Sequence, residues 1–223
     1  MKRHLKRMMA PKTWKILRKR NTFIARPQPG AHSLKTGMPI VIVLRDYLKQ
    51  AQTMREAKHI LSIGAVLVDG KKISNIRHMV GLMDLIAVGN DHYRMIVNTK
   101  GQLSIINAKE KDTKPKKIAN KTKYKGQTQI NFFDGTNMLV TEDKYKPGDT
   151  LLIEFPGRIS AHYALAAGAT VYLTGGKHKG QQGTVESIEK SGIMCKTSTG
   201  KHIVQKMHVF VIGDSVPCIT LTQ

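Results

Sequence analysis

Residues 53–71 read TMREAKHILSIGAVLVDGK, and this stretch is the most informative part of the chain because it predicts a short helix, a glycine stop and a tight hairpin. Thr53 can accept a hydrogen bond from the first turn of the helix, and Glu56 completes a capping box. Gly64 suits the left-handed position that ends a helix. An apolar stripe at helical spacing is expected to face the core, formed by Met54, Ala57 and Leu61.

The segment after the helix has the pattern of a β-hairpin. Val66 and Val68 alternate as in a half-buried strand, and Asp69-Gly70 fits a type I′ turn. The turn is expected to deliver two lysines beside the solvent-facing side of the helix, whose residues at i, i+3 and i+4 are basic. A scaffold of this kind can straddle RNA phosphates, and its predicted contacts are Arg55, Lys58, His59, Lys71 and Lys72.

A solvated basic face on an amphipathic helix is the alternative interpretation, and for a lone helix it would be preferred. Here the helix and the hairpin occur together. The pattern Arg-Glu-Ala-x-x-x-Leu, then Gly-x-Val-x-Val-Asp-Gly-Lys, resembles the small RNA-binding fold named after bacterial ribosomal protein S4. That fold occurs in ribosomal proteins, pseudouridine synthases and tyrosyl-tRNA synthetases, so the resemblance implies RNA and leaves the kind of RNA protein open.

Composition independently indicates a polyanion as the partner. The 223 residues include 37 Lys and Arg against 15 Asp and Glu, a formal charge of +22. Such an excess disfavours a free-standing metabolic enzyme and fits phosphate binding, which releases counterions. No lipidation motif and no apolar run of the ~18 residues that a membrane span needs are evident, so no membrane partner is expected.

The cysteines and histidines indicate neither a disulfide framework nor a metal site. Cys195 and Cys218 form no CxxC pair, which favours a reducing cytosol. The nine histidines do not pair with cysteine at ligand spacing. We therefore expect no metal and no cofactor.

Residues 1–38 are predicted to be a basic N-terminal arm. Residues 1–35 contain no acidic residue, and Pro27, Pro29 and Gly30 break any long helix. With little apolar periodicity, the arm is expected to be ordered only in part, when laid against RNA; Trp14 is expected to pack on the body rather than stack on a base. The predicted RNA contacts of the arm are Lys2, Arg3, Lys6, Arg7, Lys12, Lys15, Arg18, Lys19, Arg20, Arg26 and His32.

Residues 39–100 are predicted to form the S4-like domain. Pro39 can begin a helix through PIVIVLRDYLKQA, with Val41, Leu44, Leu48 and Ala51 on its buried side. Strands separated by turns at Gly-Asn-Asp and Thr-Lys-Gly are expected to follow.

Residues 101–167 are predicted to be a central β domain, because short strands and turns alternate there at regular spacing. Its segment 109–125 carries eight lysines and is expected to be a long exposed loop or hairpin tip on the RNA side, although a solvated linker is the alternative. The contacts predicted there are Lys114, Lys116 and Lys117.

The glycine-rich stretch at 174–183 is not a nucleotide-binding loop. A Walker motif needs Lys-Ser/Thr after the second glycine, whereas Gln181 and Gln182 follow Gly180. VYLTGGKHKGQQGTVESI instead resembles a KOW motif, which implies an SH3-like β barrel over residues 168–223. The glycines allow close backbone approach and positive φ, and Lys177, His178 and Lys179 are predicted to contact phosphate. Further strands are predicted at 192–196 and 202–210.

Taken together, the modules resemble the S4e family of ribosomal proteins over nearly the whole chain, and the short C-terminus favours the archaeal type. The segments that carry the resemblance are HLKR at 4–7, APKTW at 10–14, RPQPGAHS at 26–33, TMREAKHIL at 53–61, VDGKKI at 68–73, VGLMDLI at 80–86, PGD at 147–149 and GGKHKG at 175–180.

This resemblance implies an α+β multidomain protein without enzymatic activity: a small α/β RNA-binding unit, a central β domain and a C-terminal KOW barrel. The implied role is a structural constituent of the small ribosomal subunit in the cytoplasm. Its implied partners are small-subunit rRNA and neighbouring ribosomal proteins, and it takes no small-molecule substrate.

Two alternatives from other classes remain open. An RNA-modifying enzyme or its accessory would also carry an S4-like unit, but Asp46, Asp84 and Asp134 stand in no recognisable catalytic motif. A KOW-type transcription factor would explain residues 169–213, although it would not explain the basic arm or the segment 53–71.

Overall fold

The computed structural model describes residues 4–189 and 192–221. The predicted RNA contacts Lys2 and Arg3 lie outside these ranges. Within them the chain is mostly β-strand with few helices.

The described chain divides into two units. Unit 1 comprises 4–96 and 102–111, and unit 2 comprises 97–101, 112–189 and 192–221. The strands of unit 1 are β1 (Leu5–Lys6), β2 (Phe23–Ile24), β3 (Gly37–Pro39), β4 (Val66–Val68), β5 (Lys71–Lys72), β6 (Met79–Gly81), β7 (Leu85–Val88), β8 (Asp91–Val97) and β9 (Leu103–Asn107).

The main sheet of unit 1 has the order β5-β4-β7-β8-β9, and β1 with β2 and β3 with β6 form two further two-stranded sheets. Helix α1 (Ile40–Ile42) continues into a π-helical turn at Val43–Tyr47, and helix α2 spans Met54–Ile63. The predicted helix after Pro39 therefore exists but ends at Tyr47, well before Ala51. Lys49 adopts a φ of 56°, which no helix continues through.

The local features predicted for α2 are confirmed. The Thr53 hydroxyl accepts a hydrogen bond from the amide of Glu56 at 3.2 Å, and the Glu56 carboxylate reaches back to the amide of Gln52 at 2.8 Å. Gly64 has a φ of 81°. Ala57 and Leu61 are fully buried, whereas Met54 is 44% exposed, so its place in the core stripe was wrong. Met54 opens the helix, and the core contact of α2 begins one turn later.

The hairpin after α2 also forms as predicted. Asp69 and Gly70 have φ values of 50° and 73°, and Val68 pairs with Lys71 across the turn. Val66 and Val68 are buried, while Leu67 between them is 38% exposed. The hydrophobic alternation therefore fixes which face of β4 meets the core.

Residues 4–38 of the N-terminal arm pack on the rest of unit 1, although their sequence has little apolar periodicity. Trp14 is 1% exposed, and its Nε1 donates to the carbonyl of Gly37 at 2.9 Å, which confirms the packing interpretation. The backbone amide of Lys15 donates to the Tyr47 hydroxyl, which in turn donates to the carbonyl of Leu103. These contacts supply the apolar anchor and hydrogen bonds that local periodicity does not reveal.

Unit 2 contains two five-stranded sheets, each with its own apolar cluster. Their orders are β12-β11-β10-β13-β14 and β18-β17-β16-β15-β19. The strands are β10 (Thr113–Tyr124), β11 (Gln127–Phe132), β12 (Asn137–Val140), β13 (Thr150–Glu154), β14 (Arg158–Tyr163), β15 (Thr170–Leu173), β16 (Gln182–Ile188), β17 (Ile193–Thr197), β18 (Gly200–Val204) and β19 (Val209–Gly213).

Two sequence predictions for unit 2 need correction. The lysine-rich segment is not a long loop, because β10 spans most of it and pairs first with β13 and then with β11. The strand predicted over 202–210 is divided by a 3-10 turn at Lys206–His208 between β18 and β19. By contrast, the alternation of short strands and turns predicted for the central segment is confirmed by β11, β12, β13 and β14.

Candidate nucleic-acid interface

The helix–hairpin surface, formed by Arg55, Lys58, His59, Lys71 and Lys72, is exposed in unit 1. Arg55 and His59 are one turn apart on α2 and line a shallow groove with Glu56. The pKa of the Glu56 carboxyl lies below its ordinary value because the Gln52 amide and the Thr53 hydroxyl donate to it. That carboxylate therefore stays ionised in the cap.

Lys72 is placed by the glycine that ends α2. A methyl group added at Gly64 would lie 2.0 Å from Cε of Lys72, so the lysine chain crosses directly over that glycine. An ammonium near the last turn of a helix is favoured by the helix dipole. The hairpin thus brings Lys72 to the C-terminal end of α2, whereas Arg55 lies in the first turn at the other end.

Some cations of the arm are enclosed and hydrogen-bonded to its backbone, whereas others are exposed to solvent. Arg18 donates to the carbonyls of Ala10 and Pro11 at 2.8 Å each, so its guanidinium holds the arm together. Arg7 is 4% exposed and donates from Nη1 to the carbonyl of Leu17 at 3.0 Å. Arg26 is half-buried; the exposed predicted contacts are Lys6, Lys12, Lys15, Lys19 and Arg20.

His32 does not face solvent, so the structure corrects its predicted role as an RNA contact. It is 7% exposed, and its Nε2 lies 2.8 Å from Oδ1 of Asp84. The other oxygen of Asp84 accepts from the amide of Gly81 at 2.7 Å. The imidazole lies so close to Gly81 that an added methyl group there would be 2.2 Å from the ring. His32 therefore joins the arm to β6.

The three lysines predicted to contact RNA on the lysine-rich segment are mostly enclosed by protein. Lys114 is 2% exposed, and its Nζ lies 3.2 Å from Oδ2 of Asp134, while the Lys116 side chain is 14% exposed and lies 3.3 Å from the same oxygen. Burial raises the pKa of Asp134, but the two lysines and the hydrogen bonds from Thr136 lower it more, so the net pKa is below the ordinary value.

Lys117 is likewise buried, at 6% exposed, and donates to the carbonyls of Lys206, Met207 and Val209 at 2.7–2.9 Å. Burial, together with the charge of Lys206, lowers its pKa to about 8. Lys114 and Lys117 are therefore structural cations. The prediction that these two lysines contact RNA was wrong, because both are buried.

The exposed lysines of this segment lie at the two ends of β10 instead: Lys109 and Lys111 precede the strand, and two more lie at the β10–β11 turn. Lys123 and Lys125 are exposed beside Tyr124, and the turn is closed by Lys125 and Gly126 at positive φ. The pattern KTKYKG at 121–126, in which alternating lysines precede a glycine, could have indicated these exposed residues.

The glycine-rich loop of unit 2 approaches backbone closely, as predicted, but the backbone belongs to this chain. A methyl group at Gly180 would lie 2.4 Å from the carbonyl carbon of Asn98. Lys179 crosses over Gly101 in the same turn, where an added methyl group would lie 2.1 Å from its Cε. Of the three predicted contacts in this loop, Lys177 is exposed.

His178, the third of them, stacks on His202 with ring centroids 3.6 Å apart. Desolvation, followed by the proximity of His202 and Lys177, lowers the pKa of His178 below the ordinary value for histidine. At neutral pH His178 is therefore uncharged and can offer a ring nitrogen as a hydrogen-bonding group.

Sequence reasoning missed three basic residues that meet the arm in unit 1. Arg45 and Lys49 line a cavity with Arg7 and Arg20, and Arg77 lines a neighbouring one with Arg26. No periodic pattern marks these residues, because only the docking of the arm brings them together.

Other kinds of site receive no support from the described residues. Among residues 4–189 and 192–221, no group of three histidine, cysteine or acidic side chains is arranged to hold a metal ion. In the same part of the chain, no helix has the length and apolarity required to cross a membrane.

Comparisons with known proteins match the chain from end to end. The family model described as ribosomal family S4e matches residues 89–158, the RS4NT domain matches 1–35 and the KOW motif matches 167–197. The small ribosomal subunit protein eS4 of Methanocaldococcus jannaschii is 40% identical over 238 residues, which cover 99% of this chain and 98% of that protein. The eS4 protein of Methanocella arvoryzae is 39% identical over 97% and 96% of the two chains.

A solved structure is similar as well. The crystal structure of the 30S ribosomal protein S4e from Thermoplasma acidophilum has a TM-score of 0.69 and 32% sequence identity. It covers 81% of this chain and 96% of that one.

Proposed function

The chain belongs to ribosomal family S4e, and we propose that it is a structural constituent of the small ribosomal subunit that binds small-subunit rRNA. The observation that carries the proposal is the 40% identity to a small-subunit protein over 99% of the chain. Its partners are then small-subunit rRNA and neighbouring ribosomal proteins on the cytoplasmic ribosome. The role is one of binding and assembly in translation, without catalysis.

Several separate basic surfaces support this proposal. Exposed lysine and arginine side chains can neutralise phosphates and release counterions, which dominates affinity for RNA, while A-form shape sets placement. Hydrogen bonds and ion pairs within the chain remove five cations from these exposed surfaces, namely Arg18, His32, Lys114, Lys116 and Lys117. The proposed contacts are Lys6, Lys12, Lys15, Lys19, Arg20, Arg26, Arg55, Lys58, His59, Lys71, Lys72, Lys123, Lys125 and Lys177.

The finer division of the fold is part of the same proposal. Residues 39–100 form an S4-like unit, supported by the capped helix α2 and the hairpin after it. Residues 168–223 form an SH3-like barrel, supported by the KOW match and by the antiparallel sheet β18-β17-β16-β15-β19. Residues 1–38 act as an arm, and 101–167 as a central β domain.

Co-sedimentation of the full chain with small ribosomal subunits tests the proposal. We expect it to bind small-subunit rRNA with a logarithmic salt slope of about −0.7 to −0.9 per neutralised phosphate. Replacement of Arg55, Lys58, Lys71 and Lys72 by alanine should weaken binding without unfolding unit 1. A matched control replaces Lys144 and Lys201, whose side chains are 58% and 63% exposed and pair with glutamates.

The opposite outcomes are equally specific. Salt-independent binding, or sedimentation with RNA polymerase in place of small subunits, would contradict the ribosomal role. Modification of rRNA by the purified chain would favour an enzyme. Unchanged affinity after the four replacements would show that the helix–hairpin surface is merely solvated.

A further inference from the structure

Two adjoining cavities lie where the arm docks on unit 1. The first, with a volume of about 510 Å³, is bordered by Arg7, Arg20, Asn21, Arg45 and Lys49, together with Asp46. The second has a volume of about 320 Å³ and shares Arg7, Asn21 and Arg45 with the first. Because three residues border both, the cavities lie side by side, and together they are here called the arm cleft.

The first end of the arm cleft is built for an anion. Arg7 is 4% exposed, and its buried Nε has no hydrogen-bond partner among the described residues. Arg45 donates from Nη2 to Oδ2 of Asp46 at 2.7 Å, which orients its guanidinium. Arg20 and Lys49 are exposed on the rim. Guanidinium groups held in fixed positions suit the oxygens of a phosphate group.

The second end of the arm cleft has a different chemistry. Phe23 and Met54 line it, and both are open to solvent, at 55% and 44% exposed. The Phe23 ring also lies 5.6 Å from the His4 ring at a tilt of 49°. Exposed apolar side chains are unremarkable singly, but here a ring lies beside a cluster of cations. Aromatic side chains next to basic grooves are the platforms on which unpaired bases stack.

We propose that the arm cleft binds one unpaired nucleotide of RNA, with its phosphate at the Arg7–Arg45 end and its base on Phe23. This inference rests on the proposed function. A base within an A-form helix stays in the stack and cannot reach the ring, whereas a bulged or looped nucleotide can be splayed out. The arm cleft therefore distinguishes unpaired RNA from paired RNA, which the lysine-rich surfaces do not.

The test measures binding of the full chain to two fluorescein-labelled RNA hairpins that differ by a single bulged nucleotide. In both, a polyethylene glycol linker replaces the nucleotide loop, so that the unbulged hairpin offers no unpaired base. Fluorescence anisotropy should show tighter binding of the bulged hairpin. Phe23→Ala should weaken that binding about tenfold, the loss expected for one stacked base, and leave the paired hairpin unaffected. Phe133→Ala is the matched control, because Phe133 is 40% exposed and lies in unit 2.

Two further variants separate the roles of ring and charge. Phe23→Leu retains an apolar side chain in the arm but removes the ring, so it should behave as Phe23→Ala even if alanine loosens the arm. Arg20→Gln should weaken binding of the bulged hairpin and make the salt slope shallower by about 0.7 to 0.9, the value of one phosphate contact. Fluorescence of buried Trp14 confirms that the arm stays docked in each variant.

Three outcomes would overturn the inference. Equal affinity of the wild-type chain for the two hairpins is one, and unchanged affinity in both Phe23 variants is another. Displacement of the bulged hairpin by a polyglutamate peptide, with no effect of the Phe23 variants, would assign the arm cleft to an acidic protein segment. Each leaves co-sedimentation with small subunits intact, whereas failure of the wild-type chain to bind any RNA would refute the proposed function itself.

Discussion

Replacement of Asp134 by asparagine tests whether the buried lysines of unit 2 are structural. The Asp134 carboxylate is 7% exposed, and its Oδ2 lies 3.2 Å from Nζ of Lys114 and 3.3 Å from Nζ of Lys116. Its Oδ1 accepts from the amide of Thr136 at 3.0 Å and from the hydroxyl at 2.6 Å. Asparagine has the same shape and retains one oxygen acceptor, so the substitution removes mainly the negative charge.

The expected loss of stability follows from burial. Removing one partner of a buried ion pair costs about 3–5 kcal/mol, because the other charge stays in a medium of low dielectric constant. Lys114 is almost fully enclosed and Lys116 is 14% exposed, and the remaining oxygen still accepts hydrogen bonds. We therefore expect Asp134→Asn to lower the free energy of unfolding of unit 2 by about 3 kcal/mol at pH 7.

The same carboxylate gives this loss a pH dependence. The pKa of Asp134 in the folded chain is lower than its ordinary value of 3.8. As pH falls, the unfolded state takes up this proton before the folded state does, so stability decreases with acid. The contribution of Asp134 is therefore fully present above about pH 5 and is lost as pH falls below 3.8 towards the folded pKa. The difference between wild type and variant should shrink in the same window.

Urea unfolding followed by circular dichroism, with hydrogen exchange of peptides from β10, measures both effects. Asp143→Asn is the matched control, since Asp143 pairs with Lys121 and their side chains are 46% and 30% exposed. An exposed pair of this kind contributes less than about 1 kcal/mol. If Asp134→Asn changed stability by no more than the control did, the argument from burial would be refuted.

Three further variants probe other contacts of the fold. Gly64→Ala should destabilise unit 1 by about 1–2 kcal/mol, because alanine is strained at a φ of 81° and its methyl group displaces Lys72. Urea unfolding followed by Trp14 fluorescence measures this loss. Gly89→Ala is the control that shows the backbone strain alone, since Gly89 has a φ of 60° and no neighbour within 4 Å. Lys117→Met should destabilise unit 2 by about 2 kcal/mol at pH 7, since three carbonyls lose a buried donor. Between pH 7 and 9 the free energy of unfolding of the wild type should rise by about 1 kcal/mol relative to Lys117→Met. The reason is that the pKa of Lys117 is about 8 in the folded chain and 10.5 in the unfolded chain, so the folded state loses this proton first as pH rises. A difference that stays constant with pH would contradict the lowered pKa. Trp14→Phe should cost about 1–3 kcal/mol in urea unfolding followed by circular dichroism, because the buried carbonyl of Gly37 loses its donor, and an unchanged midpoint would argue against that bond.

The sequence predicted those parts of unit 1 that depend on local geometry. Thr53 and Glu56 form the cap with near neighbours, and Gly64 and Gly70 adopt positive φ because the chain must reverse there. These features are fixed within a few residues of each other, so their pattern is legible without the rest of the fold.

The parts that the sequence did not predict depend on distant contacts. Trp14 donates to a carbonyl 23 residues away, and this bond docks an arm that has little apolar periodicity of its own. Arg45, Lys49 and Arg77 carry no pattern that associates them with the arm, and only the docked arm places them at the arm cleft. The arm cleft therefore depends on tertiary packing, which local sequence patterns do not predict.

The lysine-rich segment shows why net charge alone could not assign the contacts. The formal charge of +22 counts Lys114 and Lys117 equally with exposed Lys71. A lysine that is already paired with a carboxylate, or that donates to three carbonyls, would have to leave those partners before neutralising a phosphate, which offsets the gain from counterion release. An exposed lysine gives up only water. Composition therefore identifies the class of partner, whereas burial and pairing of each cation decide whether that cation can make the contact.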